Sequence, residues 1–346
     1  MKQKFKLWLN ILTFVAIGVI IIFARHDIAL AFQKLPQLNL WILALMIPVQ
    51  FFAFFAVGRV YYHFFKVTGT PLPEKTLMAA AIELNFVNHV FPSGGLSGFS
   101  YLTFRLKHSN ISTAKATLAQ IVRFVMAFLT FIVLLLAALF MLAAEDRVSR
   151  FIMLVAAALT FTILFGTLII IYVIGKDSRI REFTQSMSRL LNRVIHIVRP
   201  HHPETINLTR VEKTFRELHQ DYKMLRKDMG RMWRVALWAL IANIAEISMI
   251  YVAFVAHGEW INPGALIIAF AIATTAGLVA ILPGGLGVYE PLMATVLLSA
   301  GVPASLALSA TLISRVITLV LALGTGYVLY QRTLRRYGTT AINPRS

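Results

Sequence analysis

The chain has 346 residues, of which 58% are apolar and 14% charged, against roughly 45–50% and 25% in a typical soluble domain. With a mean hydropathy of +0.74 and a formal net charge of +18, it is not an ordinary soluble enzyme, and a membrane protein with one basic face fits better than a nucleic-acid-binding protein. The sequence contains no cysteine, which excludes disulfides, thiolate metal ligands and thiol nucleophiles.

Six apolar segments are long enough to cross a bilayer as helices, because a span needs about 20 predominantly apolar residues. The first follows Lys2, Lys4 and Lys6 without a small-residue cleavage site, which favours an uncleaved span over a signal peptide. The predicted spans are residues 5–24, 38–57, 113–143, 151–174, 233–257 and 304–330.

Two further apolar stretches are interrupted by proline and glycine. Residues 76–91 lead into Pro92-Ser-Gly-Gly-Leu-Ser-Gly-Phe99 and continue as 96–106. Residues 264–282 lead into Pro283-Gly-Gly-Leu-Gly-Val-Tyr-Glu290 and continue as 286–300. Proline and glycine both break a helix, so we predict two re-entrant hairpins.

The two hairpins form part of an internal repeat. Each is followed by a long apolar helix with one arginine, Arg123 or Arg315; Pro92 and Pro283 are 191 residues apart, and the two arginines 192. Three predicted spans separate the hairpins, so the hairpins enter from opposite sides of the membrane. The predicted fold is therefore an all-α polytopic membrane protein with six full spans and two broken re-entrant hairpins forming an inverted repeat.

Basic residues predict the orientation, because cationic loops stay on the cytoplasmic side. With both termini inside, 27 of the 33 basic residues are cytoplasmic, and the net charges are +19 inside, 0 outside and −1 in the membrane. We predict a multi-pass protein of the prokaryotic cell (inner) membrane with cytoplasmic N- and C-termini. Topology alone explains the basic face, and recognition of anionic lipids explains it too; the sequence leaves both open.

The predicted organisation has three parts: an N-terminal membrane half with the first hairpin (1–175), a cytoplasmic segment (176–231) and a C-terminal membrane half with the second hairpin (232–346). In the cytoplasmic segment, apolar residues recur at helical spacing, and Thr209-Arg-Val-Glu212 resembles a capping box. We predict two amphipathic helices there. Three placements fit them: on lipid headgroups, packed on each other, or against a partner protein.

Five charged residues lie inside predicted membrane segments: Glu83, Arg123, Glu246, Glu290 and Arg315. Each would cost roughly 2.5–3.5 kcal/mol if it faced lipid, so we expect them to face inward, paired or hydrated. Structural ion pairs would explain them, for example Glu290 with Arg315 and either Glu83 or Glu246 with Arg123. Two arginines at matching repeat positions also suit a phosphate, because a guanidinium presents a planar fork of donors.

Three polar residues approach the first break: Asn85, Asn88 and His89. They either line a polar pocket or cap the broken helix. No sequence pattern indicates a metal site, a nucleotide-binding loop or a Ser-His-Asp arrangement. We therefore expect no cofactor, no enzymatic activity and no nucleic-acid partner.

The segment from Pro283 to Glu290, followed by Ile313-Ser-Arg-Val316, resembles the lysylphosphatidylglycerol synthase transmembrane-region family, also called flippase-like domain proteins. The resemblance covers nearly the whole chain. In bifunctional members a soluble aminoacyltransferase domain follows the membrane region, whereas this sequence ends at Ser346. The resemblance therefore implies lipid translocation and not synthesis. The first repeat departs from this pattern, because it has Phe99 near the position that corresponds to Glu290. The resemblance assigns roles to the matching motif residues Pro283, Gly284, Gly285, Gly287, Glu290 and Arg315.

The resulting hypothesis is a flippase that moves an anionic, phosphate-bearing lipid between leaflets. The lipid is a phospholipid, such as an aminoacylated phosphatidylglycerol, or a polyprenyl-linked carrier, and a homo-oligomer or a membrane-bound lipid enzyme stays open as a further partner. The alternative is a non-transporting scaffold or regulator of envelope lipid enzymes. The predicted substrate-binding residues are Arg123, Arg315, Glu83, Glu246, Glu290, Asn85, Asn88, Ser93, Gly94, Gly95, Pro283, Gly284, Gly285 and Gly287.

Overall fold

The structure is a computed structural model. It describes residues 15, 18–19, 22, 25, 28–30, 32–91, 96–144, 150–176, 178–179, 182, 217, 220–223, 225, 228–279 and 287–337. Throughout these ranges the regular secondary structure is helical, as predicted. The α-helices whose bounds fall within them are α1 (Leu40–Ala44), α2 (Met46–Val67), α3 (Glu74–Val90), α4 (Leu96–Leu106), α5 (Thr113–Ala143), α6 (Arg150–Ile174), α7 (Trp233–Ala256), α8 (Pro263–Val279), α9 (Tyr289–Ser299) and α10 (Ala304–Tyr337).

Five helical stretches of the described chain are long and apolar enough to cross a membrane. The shortest has 22 residues, which is about 33 Å at 1.5 Å per residue and sufficient for a hydrocarbon core of about 30 Å. They match five of the six predicted spans, and the remaining segment, 5–24, lies largely outside the described residues. The five stretches are Leu40–Val67, Thr113–Ala143, Ile152–Val173, Met229–Ala256 and Ala304–Arg336.

Local sequence explains where several of these helices begin. Asn39 is the N-cap of α1, and its Oδ1 accepts from the backbone N–H groups of Trp41 and Ile42 at 3.1 and 3.3 Å. Ser112 is the N-cap of α5, and its Oγ accepts from the N–H of Lys115 at 3.1 Å. Pro48 has no N–H to donate to the carbonyl oxygen of Ala44, so one helical hydrogen bond is missing there. This is consistent with the break between α1 and α2 at Leu45.

Four short helices occupy the positions predicted for the arms of the two hairpins. α3 packs against α4, and α8 packs against α9. The long arms α3 and α8 have 17 residues each, about 25 Å of helix, which is short for a full crossing. The breaks themselves, 92–95 and 280–286, lie outside the described residues.

The two membrane halves interlock. α3 of the first half packs against α10 of the second, and α8 of the second half packs against α5 of the first. A Cβ on Gly326 of α10 would collide with Phe86 of α3, so the glycine permits this close approach. Gly264 of α8 lies correspondingly close to the carbonyl of Ala138 in α5. Each half therefore buries one hairpin helix against the other half.

Part of the segment predicted to be cytoplasmic packs on this helical body. Leu225 is buried in the core cluster that contains residues of α3, α4 and α5, and Tyr222 packs against it. Asp221 is also buried, and its Oδ1 lies 3.8 Å from Nζ of Lys115. Most of the two predicted amphipathic helices, including the capping box at 209–212, lies outside the described residues.

Candidate functional site

Arg315 is held by the first turn of α9. Its Nε lies 3.0 Å from Oε1 of Glu290, and its guanidinium carbon lies 4.4 Å from the ring centroid of Tyr289. The other carboxylate oxygen of Glu290, Oε2, accepts from the backbone N–H of Gly287 at 2.9 Å. The predicted Glu290–Arg315 pair is thus confirmed.

Glycine at position 287 has a specific backbone role. Gly287 has φ +80°, in the left-handed region that favours glycine. This conformation accompanies the turn into α9 in which the Gly287 N–H donates to the Glu290 carboxylate. A carboxylate at a helix N-terminus is further stabilised by the helix dipole. Glu290 is therefore fixed independently of its contact with Arg315.

The end of α3 reaches the same site from the first hairpin. The charge of Arg315 acts on His89, whose Nδ1 donates to the carbonyl oxygen of Asn85 at 2.8 Å. His89 of the first hairpin and Glu290 of the second are therefore both within electrostatic reach of Arg315.

Arg123 is the second arginine of the site. Its guanidinium carbon lies 5.3 Å from the ring centroid of Phe124, and it interacts with the hydroxyl of Tyr61. Glu246 of α7 is attracted by Arg123 and also interacts electrostatically with Tyr289. Of the two predicted partners for Arg123, Glu246 is therefore the one within its electrostatic reach.

The alternative pairing of Glu83 with Arg123 is wrong. Glu83 is 1% exposed, and its Oε2 accepts from Nε of Arg105 and from the hydroxyl of Tyr101, each at 2.9 Å. Its Oε1 accepts from Oγ1 of Thr333 at 2.7 Å. Arg105, at the end of the predicted arm 96–106, is buried and was not among the charged residues predicted to lie inside the membrane. Glu83 consequently joins α3, α4 and α10.

A group of carboxamides lies between the hairpin arms and α5. Asn88 Oδ1 accepts from Oγ of Ser97 at 3.5 Å, which joins α3 to α4. Gln120 is completely buried, and its Oε1 accepts from the hydroxyl of Tyr61. Asn85 Oδ1 and Gln120 Nε2 are buried and have no hydrogen-bond partner. Asn88 and Gln120 therefore lie together between the first hairpin and α5, and Asn85 lies three residues before Asn88 on α3.

Residues 8–326 match the family described as "Lysylphosphatidylglycerol synthase TM region". The chain belongs to this family. Membership agrees with the resemblance carried by the second glycine-rich segment and Arg315, and it makes the protein a multi-pass membrane protein of a family associated with lipid handling.

Two proteins of Methanothermobacter thermautotrophicus, each named "UPF0104 membrane protein", are similar to parts of this family member. One is 36% identical over 92 residues, which are 26% of this chain and 28% of the relative. The other is 28% identical over 123 residues, 35% of this chain and 36% of the relative. The matches thus span about a third of the curated relatives' length.

Six predicted site residues of this lysylphosphatidylglycerol synthase transmembrane-region protein lie outside the described residues. Of the second glycine-rich motif, the structure places Gly287 and Glu290, which contact each other. Within the described ranges, no group of three or more His, Asp or Glu side chains could hold a metal ion. The six residues are Ser93, Gly94, Gly95, Pro283, Gly284 and Gly285.

The sequence did not single out several residues that this family member places in or beside the site. Gln120 precedes Arg123 by three positions, so helical spacing alone would have put the two on one face of α5. Tyr289 adjoins Glu290 in the second motif. No local signal connects Thr333 to Glu83. The residues missed are Tyr61, Tyr101, Arg105, Gln120, Tyr289 and Thr333.

Proposed function

We propose that this protein moves an anionic, phosphate-bearing lipid between the two leaflets of the membrane. The headgroup passes between the two hairpins while the hydrocarbon chains stay in lipid. The substrate class comprises phospholipids, such as an aminoacylated phosphatidylglycerol, and polyprenyl-linked carriers. The observation that supports this most directly is the half-buried Arg315, held by Glu290 and Tyr289 beside the second glycine-rich break.

Arg315 has the contacts expected of a cation that exchanges partners. Its Nε lies 3.0 Å from Glu290 Oε1, but that oxygen accepts no hydrogen bond. When Arg315 turns to a phosphate, Glu290 keeps the hydrogen bond from Gly287 and the favourable end of the α9 dipole. The carboxylate therefore loses only one of its two stabilising contacts, which lowers the cost of releasing the arginine.

A second arginine strengthens the case for a phosphate. Moving a bare phosphate through hydrocarbon costs tens of kcal/mol by a Born estimate, and guanidinium donors replace part of its lost hydration. Arg123 lies beside Glu246, which also interacts with Tyr289 next to Arg315. At two positions along the route, an arginine can thus exchange its carboxylate partner for the phosphate of the headgroup.

Reciprocal packing supports the inverted repeat that this route needs. α3 contacts α10, and its counterpart α8 contacts α5, the counterpart of α10. We propose that the hairpins enter from opposite leaflets and that both termini are cytoplasmic in a prokaryotic inner membrane. With the inside negative, each negative charge moved outward gains about 2.3 kcal/mol per 100 mV. Outward movement then needs no further energy source, and the protein acts as a transporter and not as an enzyme.

Proteoliposomes test the proposal. Purified protein is reconstituted with fluorescent phosphatidylglycerol, and dithionite quenching measures how fast the lipid exchanges between leaflets. We expect Arg315→Gln to lower the rate at least ten-fold, because the neutral amide cannot replace the guanidinium charge. Arg59→Gln is the matched control, since Arg59 also lies in a membrane helix and is paired, at 2.9 Å, with Glu74; this variant should transport at the wild-type rate.

The same assay separates the proposal from the scaffold alternative. Wild-type exchange by Arg315→Gln would refute the role of Arg315. A transporter should also keep a measurable rate after deletion of residues 177–230, whereas a scaffold that acts through its cytoplasmic segment should lose its cellular activity. Exchange no faster than in protein-free liposomes, with each anionic lipid tried, would refute transport itself.

A further inference from the structure

We propose that the carboxamides of Asn85, Asn88 and Gln120 form a subsite that binds the hydroxyl groups of a polyol headgroup, such as glycerol or a sugar. This inference rests on the proposed function and specifies its substrate class. In this arrangement the arginines take the phosphate, and the carboxamides select what the phosphate is attached to.

Unpartnered polar atoms are the first observation. Gln120 is 0% exposed, and its Nε2 has no hydrogen-bond partner, although its Oε1 is occupied by Tyr61. Oδ1 of Asn85 is likewise buried and has no partner. Buried polar groups in folded proteins nearly always have partners, from protein, water or ligand. One donor and one acceptor are therefore left for a molecule that the chain does not supply.

Their position between the two arginines is the second observation. On one side, the Tyr61 hydroxyl contacts both Gln120 and Arg123, which are three residues apart on α5. On the other side, the backbone carbonyl of Asn85 accepts from His89, which is within electrostatic reach of Arg315. The carboxamides thus lie on α5 with Arg123 and on α3, which packs against α10 with Arg315.

Gly98 is the third observation. A Cβ at this position would lie 2.8 Å from Oδ1 of Asn88 and 3.0 Å from Nε2 of Gln120. A side chain at this position would displace the ends of both carboxamides, so glycine leaves them in their present places. Gly98 therefore leaves room for Asn88 and Gln120 to lie together, and Asn85 lies three residues before Asn88, on the same face of α3.

The chemistry of the free atoms selects a hydroxyl. A hydroxyl group both donates and accepts, so one such group, or two neighbouring ones, satisfies Nε2 of Gln120 and Oδ1 of Asn85 together. A quaternary ammonium has no donor for the acceptor, and a bare phosphate monoester places no hydroxyl beyond the phosphate. A glycerol or sugar headgroup is therefore preferred over choline and over phosphatidic acid.

Lipid binding tests this subsite separately from transport. The full chain in detergent is titrated with phosphatidylglycerol, phosphatidic acid and phosphatidylcholine of equal acyl chains, and native mass spectrometry gives each affinity. We expect wild type to prefer phosphatidylglycerol to phosphatidic acid by at least five-fold. Asn85→Leu and Gln120→Met should each weaken phosphatidylglycerol about five-fold, equivalent to ~1 kcal/mol for one neutral hydrogen bond, and leave phosphatidic acid unchanged.

Two further variants keep the test decisive. Gly98→Ala retains all three carboxamides but crowds them, so it should also lower the preference for phosphatidylglycerol. The matched control is Asn243→Leu, since Asn243 is a buried carboxamide of α7 whose Nδ2 donates to the Ala127 carbonyl and to Thr130, each at 2.9 Å. This control should leave the ratio of the two affinities unchanged, even if it lowers stability.

The inference is overturned if wild type binds phosphatidylglycerol and phosphatidic acid with equal affinity. It is also overturned if the ratio of these two affinities is unchanged in Asn85→Leu, Gln120→Met and Gly98→Ala, or if Asn243→Leu changes that ratio as much as they do. Water would then be the partner of the two free atoms. Selective binding without leaflet exchange would refute the proposed function and leave the subsite standing. Exchange with equal affinities would refute the subsite alone.

Discussion

The buried pair Glu83–Arg105 yields the most quantitative prediction. Glu83 and Arg105 have side chains only 1% and 10% exposed, and their contact is 2.9 Å. Removing one partner of a buried pair costs about 3–5 kcal/mol, because it leaves the other charge uncompensated. In Glu83→Gln the new amide oxygen still accepts from Tyr101 or Thr333, so we expect the lower end, about 3 kcal/mol. Arg105→Gln should cost a similar amount.

The double variant Glu83→Gln/Arg105→Gln isolates the interaction. Because neither charge then remains, we expect a loss of about 4 kcal/mol instead of about 6, a coupling energy of about 2 kcal/mol. The assay is reversible unfolding in mixed micelles with increasing dodecyl sulfate, followed by circular dichroism. The control cycle uses Arg59 and Glu74, whose pair is more exposed and should couple by about 0.2–1 kcal/mol. Additive losses at Glu83 and Arg105 would refute the reasoning.

Two further predictions concern packing and pH. Gly326→Ala should destabilise the protein by about 1–3 kcal/mol, because a Cβ there collides with Phe86. The control Gly324→Ala should be neutral or slightly stabilising, because no atom lies within 4 Å of the added Cβ. Equal melting temperatures for the two variants would contradict this prediction. Burial raises the pKa of Asp221, and Lys115 only partly offsets it. The docked segment therefore favours the protonated carboxyl of Asp221, and it docks more tightly on the helical body at a pH below the ordinary pKa of a carboxyl group. This stabilisation is lost as the pH rises through the raised pKa of Asp221. Hydrogen exchange, corrected for its intrinsic pH dependence, should show this loss in wild type and not in Asp221→Asn; identical profiles would rule it out.

Most helices of the membrane part could be predicted from the sequence because apolar length and helix breakers are local signals. The prediction of 113–143 coincides with α5, whose start is fixed by the Ser112 cap, and the prediction of 96–106 coincides with α4. The short helices α3, α8 and α9 also lie where the broken stretches placed them. The inverted orientation stays a prediction, because it depends on the side from which each hairpin enters.

The site was less predictable than the helices. Glu290 and Arg315 were paired correctly because both are isolated charges in apolar segments of one repeat. For Glu83 the sequence suggested the wrong arginine, because Arg105 lies at the end of the arm 96–106 and was not counted among the membrane charges. The carboxamide cluster depends on Gly98, whose importance is visible only when α4 lies against α5. Contacts between distant segments, and not local pattern, determine these features.

The bond from Thr333 to Glu83 has a consequence for biosynthesis. It joins residues 250 positions apart. Glu83 is therefore synthesised and inserted into the membrane long before Thr333, one of its hydrogen-bond donors, has been made. At about 5–20 residues per second, the ribosome needs roughly 10–50 s to make the intervening chain. Arg105 lies only 22 residues after Glu83 and is thus available to pair with it during that interval, whereas the contact with Thr333 forms only after α10 has been synthesised. Truncation just before Thr333 should therefore trap an insertion intermediate that membrane quality-control proteases recognise.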